Sequence, residues 1–497
     1  VKSLFLGIDA GSSVTKAAVF DGAGEQLGVG SHRIRLERPH PGWSEIDPEA
    51  AWRAVTFAVR AALDDAGAKG GDIAAIGLSA AMVGAWLVDE AGNPLRPGII
   101  WEDSRTQGWL ERRLEEVPDF YQRIFRSSGC VLQQGCTLPL LAWLKDNEPE
   151  VLQRTAHAFS YKDFLRLKLT GRVAADRTEA AVAPGSAHLR DRSPEMLALF
   201  GIAELAPKLP PAVDSETIGG NVTRAAAAAT GLAEGTPVAI GAGDVPATVT
   251  GASALETGMA MAVLGTTCMV GVVTDRPVFT PPDLGLLFTL PGERWYRAMV
   301  NVAGTLNLDW TIDTLLPDLA QHSDLYARLE AMIAPVPIGC EGLVYLPYLS
   351  ESGIIAPIVD ADARAGFHGL APRHGRPHLV RAVYEGVVLA LRDLYQDLEG
   401  VGGGLLLTGG GARSPIWTQM IADALGTRVS VPAGTEFGAR GAALLAATAI
   451  GCFASIREAS VSTRRIDRRH EPDGMVAGEW DRAFAAYRGR RDQVLRK

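Results

Sequence analysis

The sequence predicts an α/β chain in two large halves with a ligand held between them. Three observations carry this. Short apolar runs bounded by glycine alternate with alanine-rich amphipathic stretches, the pattern of strands layered against helices. A strand–small-residue turn–strand pattern occurs twice, over residues 6–20 and 261–270. At 497 residues the chain exceeds what one hydrophobic core supports, so two large domains or three average ones are expected.

Taken in order, the apolar runs at 4–8, 17–20, 73–78, 85–88, 238–240, 260–264, 269–273, 343–346 and 405–407 read as strands. The stretches 48–66, 379–398 and 416–425 read as helices, and 479–496 as a further amphipathic helix that packs back on either domain. The proline-rich segment 206–213 and the turn-rich residues 280–282 punctuate the middle. The boundary is placed near residue 250, giving domains 1–250 and 251–497. No low-complexity linker makes the halves independent, so a hinged pair around a central cleft is expected.

Composition excludes several function classes. A net charge of −9 disfavours nucleic acid and anionic membranes as partners, because no basic stripe supplies phosphate contacts. Arg464, Arg465, Arg468 and Arg469 cluster, but Asp467 and Glu471 interleave them, and a solvated helix or loop face is the reading. The five cysteines are scattered with no CxxC pair, and the N-terminal apolar stretch is interrupted by Asp9 with no cleavage-site pattern. The longest apolar helix candidate, 442–454, falls short of the roughly 20 residues that span a bilayer. A cytoplasmic protein with reduced, mostly buried thiols is expected.

The first repeat carries the chemistry. Asp9 ends a buried apolar run, and Gly11, Ser12 and Ser13 follow, where small residues let backbone N–H groups approach a phosphate while the acid faces a metal ion. Thr15 and Lys16 open the return strand. The second repeat, through Gly265, Thr266 and Thr267, lacks the acid. Asp244 follows Gly241 and Gly243 at the end of another apolar run, where α/β folds place functional groups. There it can accept a proton from a hydroxyl attacking a phosphoryl group, or equally cap the next helix. Gly409, Gly410, Gly411 and Ala412 run from a strand toward Ser414-Pro415, a helix start. They let an adenine or ribose lie against backbone, or serve only a tight turn. Trp101, Glu102, Asp103 and Arg105 suit a polyhydroxylated ligand, with a structural Asp103–Arg105 pair as the alternative. His368, His374 and His378 match no zinc spacing.

With these segments in order, the chain resembles the FGGY carbohydrate kinases of the actin-like ATPase superfamily over nearly its full length. The most diagnostic stretch is Ala365-Gly366-Phe367-His368-Gly369-Leu370, then seven residues, then His378-Leu379-Val380-Arg381-Ala382-Val383-Tyr384-Glu385. Residues 40–48, 81–84, 95–101, 346–350 and 409–414 look like their counterparts in xylulokinases. The resemblance implies two ribonuclease-H-like domains, an N-terminal one for sugar and a C-terminal one for nucleotide, closing over sugar, ATP and Mg2+. It implies Asp244 as catalytic base and Asp9 as the acid near magnesium, with both as metal candidates. It implies Gly265, Thr266 and Thr267 on phosphate, and Gly304, Thr305, Gly410, Gly411 and Ala412 along ATP. Ala81, Met82, Val83 and Trp101 would line the sugar pocket, with Asp103 and Val245 as further substrate contacts.

The departures from the pattern narrow the substrate. Xylulokinases usually carry Gln-Met-His-Gly where this chain has Ala81-Met82-Val83-Gly84, and Asn where it has Val245. Lys is usual where Leu140 stands. Residues 201–245 look rather like L-xylulose kinases. Xylulose, another ketopentose and a short polyol such as erythritol or glycerol all remain open. A catalytically silent nucleotide-binding protein is the reading from another class, and related kinases are often homodimers.

Overall fold

Two twisted sheets organise the protein, which is described as a computed structural model over residues 3–301, 304–350 and 353–495. The first sheet runs Ile218–Asn221, Pro237–Ala239, Ile73–Ala80, Leu4–Ala10, Val14–Phe20, Gln26–Arg33, with Ala242–Gly243 as a short addition beside Ile73–Ala80. The second runs Ile466–His470, Val429–Pro432, Leu405–Thr408, Ala260–Leu264, Cys268–Thr274, Arg294–Asn301, ending on Leu286–Leu290. In both, antiparallel strands open with a tight hairpin, two parallel strands follow, and an antiparallel strand closes the far edge. The two hairpins seen in the sequence are thus the same corner of one architecture built twice.

Local sequence explains the elements. The helix Pro48–Asp65 starts at Asp47, whose carboxylate accepts from the N–H groups of Glu49 and Ala50, with proline at the first helical position. It buries Ala51, Ala54, Val55, Ala58, Val59, Ala62 and Leu63, one face of a 3.6-residue period, against the first sheet. Helices also form at Arg376–Tyr395, Pro415–Leu425 and Ala477–Leu495, close to the expected spans; Arg496, included in the last expectation, lies outside the described residues.

Six long strands of the two sheets carried no clear sequence signal: Gln26–Arg33, Ile218–Asn221, Leu286–Leu290, Arg294–Asn301, Val429–Pro432 and Ile466–His470. Arg294–Asn301 hides behind Arg297, a buried guanidinium that donates to the carbonyls of Thr280, Gly129, Pro281 and Leu284. The cluster at 464–469 is not a helix or loop face but partly the edge strand Ile466–His470.

One helix ties the halves together. Phe437–Ala449 belongs in sequence to the second half, yet it packs on Leu4–Ala10 and Ile73–Ala80 of the first sheet. The approach is so close that a Cβ on Gly7 would lie 1.7 Å from the Ala439 carbonyl oxygen, and one on Gly77 1.8 Å from that of Ala442. Only glycine permits this contact. On the other side the helix packs against Asp244–Gly251, so it bears on the segment that carries Asp244. Among the described residues no helix is long and apolar enough to cross a membrane, and all five cysteines are unpaired, four of them buried.

Candidate active site

Strand register brings the two acids together. Asp9 lies near the carboxyl end of Leu4–Ala10 and pairs in register with Ser79 on the neighbouring parallel strand. Ser79 in turn pairs with Ala242, and Ala80 with Gly243, the residue before Asp244. Asp9 therefore stands level with Ala242 two strands away, about 10 Å between backbones, and Asp244 follows two residues further on at the carboxyl edge of the parallel strands. Asp244 is the first residue of its helix rather than the cap; Gly243 holds the cap position, and one Asp244 oxygen accepts from the N–H of Val245.

Burial and charge set how these acids ionise. Burial pushes the Asp9 carboxyl above its usual range, while a hydrogen bond from Ser79 (Oγ to Oδ1, 3.0 Å) and the charge of Lys16 pull it back and Glu436 raises it further. Lys16 is itself paired with Glu436 at 2.9 Å. Asp244 is pushed up to about 7, first by burial and then by the negative charge of Asp9. A carboxylate titrating near neutrality is matched to proton transfer at working pH.

A cavity of about 170 Å³ lies between the halves on the Asp244 side. Met82, Val83 and Trp101 come from the first half, and Met269, Leu286 and Phe288 from the second sheet. Asp244 and Val245 also line it. The Trp101 indole N–H donates to the Ser12 hydroxyl at 3.0 Å, linking the cavity wall to the first hairpin. Ala81 is buried behind this wall, its N–H bonded to the Ala10 carbonyl. Asp103 does not reach the cavity. It is fully buried and accepts from the Arg105 guanidinium at 2.9 and 2.8 Å, from the Arg105 N–H and from the Ser44 N–H. Its oxygens are thus occupied, and the structural pair replaces the substrate contact expected of it.

A second cavity, of about 330 Å³, is lined by Lys16, Gly410, Ala412, Thr435 and Glu436. Gly411 does not line it; a Cβ there would lie 2.4 Å from the Leu264 side chain. Gly265, Thr266 and Thr267 form the tip of the second hairpin, closed by a Gly265 N–H to Thr267 carbonyl bond of 3.0 Å. Gly304 and Thr305 dock on that tip, their N–H groups bonded to the carbonyls of Thr266 and Gly265. On the first hairpin Gly11 bonds the Val14 carbonyl, Thr15 is fully buried and Lys16 emerges on the other face.

Three contributors had no local signal in the sequence. Glu436 partners Lys16 from 420 positions away in the chain, by their numbering. Gly438 lies so close to Asp9 that a Cβ there would sit 2.3 Å from its carboxylate oxygen. Glu179, buried and pushed well above the ordinary carboxylate range by burial and then by Asp176, accepts from the Val83 N–H at 2.9 Å. Among the described residues no three His, Cys, Asp or Glu side chains gather as a metal-ligand group, and His374 instead accepts from the Ala371 N–H. A pair of buried carboxylates nevertheless suits Mg2+, which binds through one or two carboxylates and keeps waters and substrate phosphates as its other ligands.

Comparison with known proteins decides the family. The chain matches the model of the N-terminal domain of the FGGY family of carbohydrate kinases over residues 4–251 and that of the C-terminal domain over 260–450. This protein belongs to the FGGY family. A xylulose kinase of Escherichia coli is 32% identical over 99% of this chain and 98% of its own length. An erythritol kinase of Brucella abortus is 32% identical, covering 98% and 95%. The crystal structure of a xylulose kinase from Rhodospirillum rubrum superposes with a TM-score of 0.88 at 27% identity, covering 99% of this chain and 98% of that one. The two sheets of this carbohydrate kinase are those of the actin-like ATPase fold, and the catalytically silent reading is set aside.

Proposed function

We propose that this carbohydrate kinase transfers the terminal phosphoryl group of ATP to a hydroxyl of a ketopentose such as xylulose, with Asp244 as the general base. The observation that carries the reading is the position of Asp244. It lines the 170 Å³ cavity, stands at the carboxyl edge of the sheet two strands from Asp9, and has its carboxyl pushed up to about 7 by burial and the Asp9 charge. Asp9 and the two hairpin tips would flank the phosphates, and the cavity lined by Lys16, Gly410 and Glu436 would take the nucleoside.

In the step itself the acceptor hydroxyl oxygen forms a bond to the terminal phosphorus as the bond to the bridging oxygen of ADP breaks. The hydroxyl proton passes to the ionised Asp244 carboxylate. Such transfers depend mainly on positioning and charge stabilisation. Mg2+, held by Asp9 and Asp244 with the phosphates, would neutralise the charge that builds on the transferred group. The like charges of the two acids, which raise the Asp244 pKa, are the feature a dication relieves.

The second reading, a short polyol as acceptor, is favoured by the apolar Val83 and Val245 at the cavity and by the likeness to an erythritol kinase. A coupled ADP-release screen with D-xylulose, L-xylulose, ribulose, erythritol and glycerol separates the two. Ketopentoses are expected to give the highest kcat/KM; turnover confined to erythritol or glycerol would favour the second reading, and acceptor-independent ADP release would contradict both.

A further inference from the structure

We infer that the acceptor lacks one hydroxyl of a fully hydroxylated chain, making it a deoxy ketose or deoxy polyol. The inference rests on the kinase reading above and sharpens it.

The wall of the 170 Å³ cavity offers almost nothing to a hydroxyl. Among its lining side chains Asp244 is the one charged group, and Gln133 the one amide. The Trp101 indole N–H is already engaged with Ser12. Two thiols face the region, but both are turned to backbone: Cys130 Sγ lies 3.4 Å from the Leu287 carbonyl oxygen and accepts from the Leu287 N–H at 3.3 Å, and Cys136 Sγ is directed at the Val182 carbonyl. Asp244 is committed to the attacking hydroxyl. A sugar with a hydroxyl on every carbon would therefore set hydroxyls against a wall whose side chains offer them only Gln133, and buried polar groups without partners are disfavoured.

An independent observation concerns Val83. Its backbone is left-handed, with φ of 57°, and the Gly84 that follows has φ of 79°. A β-branched residue in this region is a true outlier, since its Cβ crowds the carbonyl; Gly, Asn, Asp or His sits there with less strain. The turn is held by the Val83 N–H bond to buried Glu179 and the Gly84 N–H bond to the Gly135 carbonyl. The chain thus keeps an apolar side chain where the backbone favours a small or polar one, and that side chain forms cavity wall. Strain at a ligand-facing residue points to a role in the site.

The test uses acceptor pairs that differ by one hydroxyl: D-xylulose with 1-deoxy-D-xylulose, L-xylulose with its 1-deoxy form, and erythritol with butane-1,2,3-triol. A hydrophobic pocket rejects an isostere that adds a hydroxyl by about 100-fold. The deoxy member of the preferred pair should show kcat/KM higher by about 10- to 100-fold. The double variant V83H/V245N, whose histidine also eases the left-handed backbone, should narrow or reverse that ratio. Calorimetric binding of the same pairs to D244N reports the wall's preference without turnover and should rank them alike. Equal or better use of the hydroxylated member by the unmodified enzyme overturns the inference and leaves the kinase reading standing. ADP release stimulated by no acceptor, with ATP still bound, overturns the kinase reading and the inference with it.

Discussion

Replacing Asp244 by Asn separates two consequences of its position, one on rate and one on stability. Removing a general base costs about 10²–10⁴ in rate, or about 2.7–5.5 kcal/mol of transition-state stabilisation. In the unmodified enzyme kcat/KM for MgATP, which reports the protein before the dication binds, should fall tenfold per unit as pH drops below about 7, where the Asp244 carboxyl takes up its proton. The stability effect runs the other way. The carboxyl is pushed from 3.8 to about 7 in the folded protein, so between these values the folded state holds a proton that the unfolded chain has released. Stability associated with Asp244 is therefore present near pH 4 and lost as pH rises through 7. About three units correspond to at most about 4 kcal/mol, less where solvent reaches the group. D244N lacks this titration, so its stability should exceed that of the unmodified protein at pH 8 and match it near pH 4. Denaturant unfolding at a series of pH values, with ADP release measured on the same preparations, tests both. A stability gap that stays constant with pH, or D244N turning over normally, would refute the reasoning.

Other perturbations probe the surroundings. Gly438→Ala places a Cβ against the Asp9 carboxylate and should cost about 1–3 kcal/mol with a fall in kcat of at least about tenfold, read by thermal melts and ADP release. Ser79→Ala removes the hydroxyl that donates to Asp9; a hydrogen bond to a charged group is worth about 1.5–3 kcal/mol, so the Mg2+ concentration for half-maximal activity should rise about 10- to 100-fold. Arg105→Met leaves Asp103 and Glu45 buried without their shared cation and should destabilise by about 3–5 kcal/mol while the folded fraction keeps its KM for the acceptor, measured by unfolding and steady-state kinetics.

What the sequence could reveal depended on how local each signal was. The two hairpins were legible because strand, small-residue turn and strand lie within about fifteen residues, and glycine and serine there carry a backbone meaning of their own. Asp9 and Asp244 were legible as acids ending apolar runs. The long helices were legible because their apolar faces repeat with a period near 3.6. Glu436, Gly438 and Ser79 were not, since each gains its role from a strand register or a helix crossing set by distant segments. Asp103 left two readings open because its aromatic and polar neighbours also resemble a sugar contact; the Asp103–Arg105 pair forms, joined by Ser44 from 59 residues earlier. Arg294–Asn301 was hidden because a buried arginine breaks the apolar pattern that its carbonyl partners restore in three dimensions.

The account stands most directly on the structure of a ternary complex with a non-hydrolysable ATP analogue, Mg2+ and an acceptor. It predicts the terminal phosphoryl between the two hairpin tips and one acceptor hydroxyl within about 2.6–3.2 Å of the Asp244 carboxylate. An acceptor bound outside the cavity between the halves, or Asp244 turned away from every hydroxyl, would contradict it.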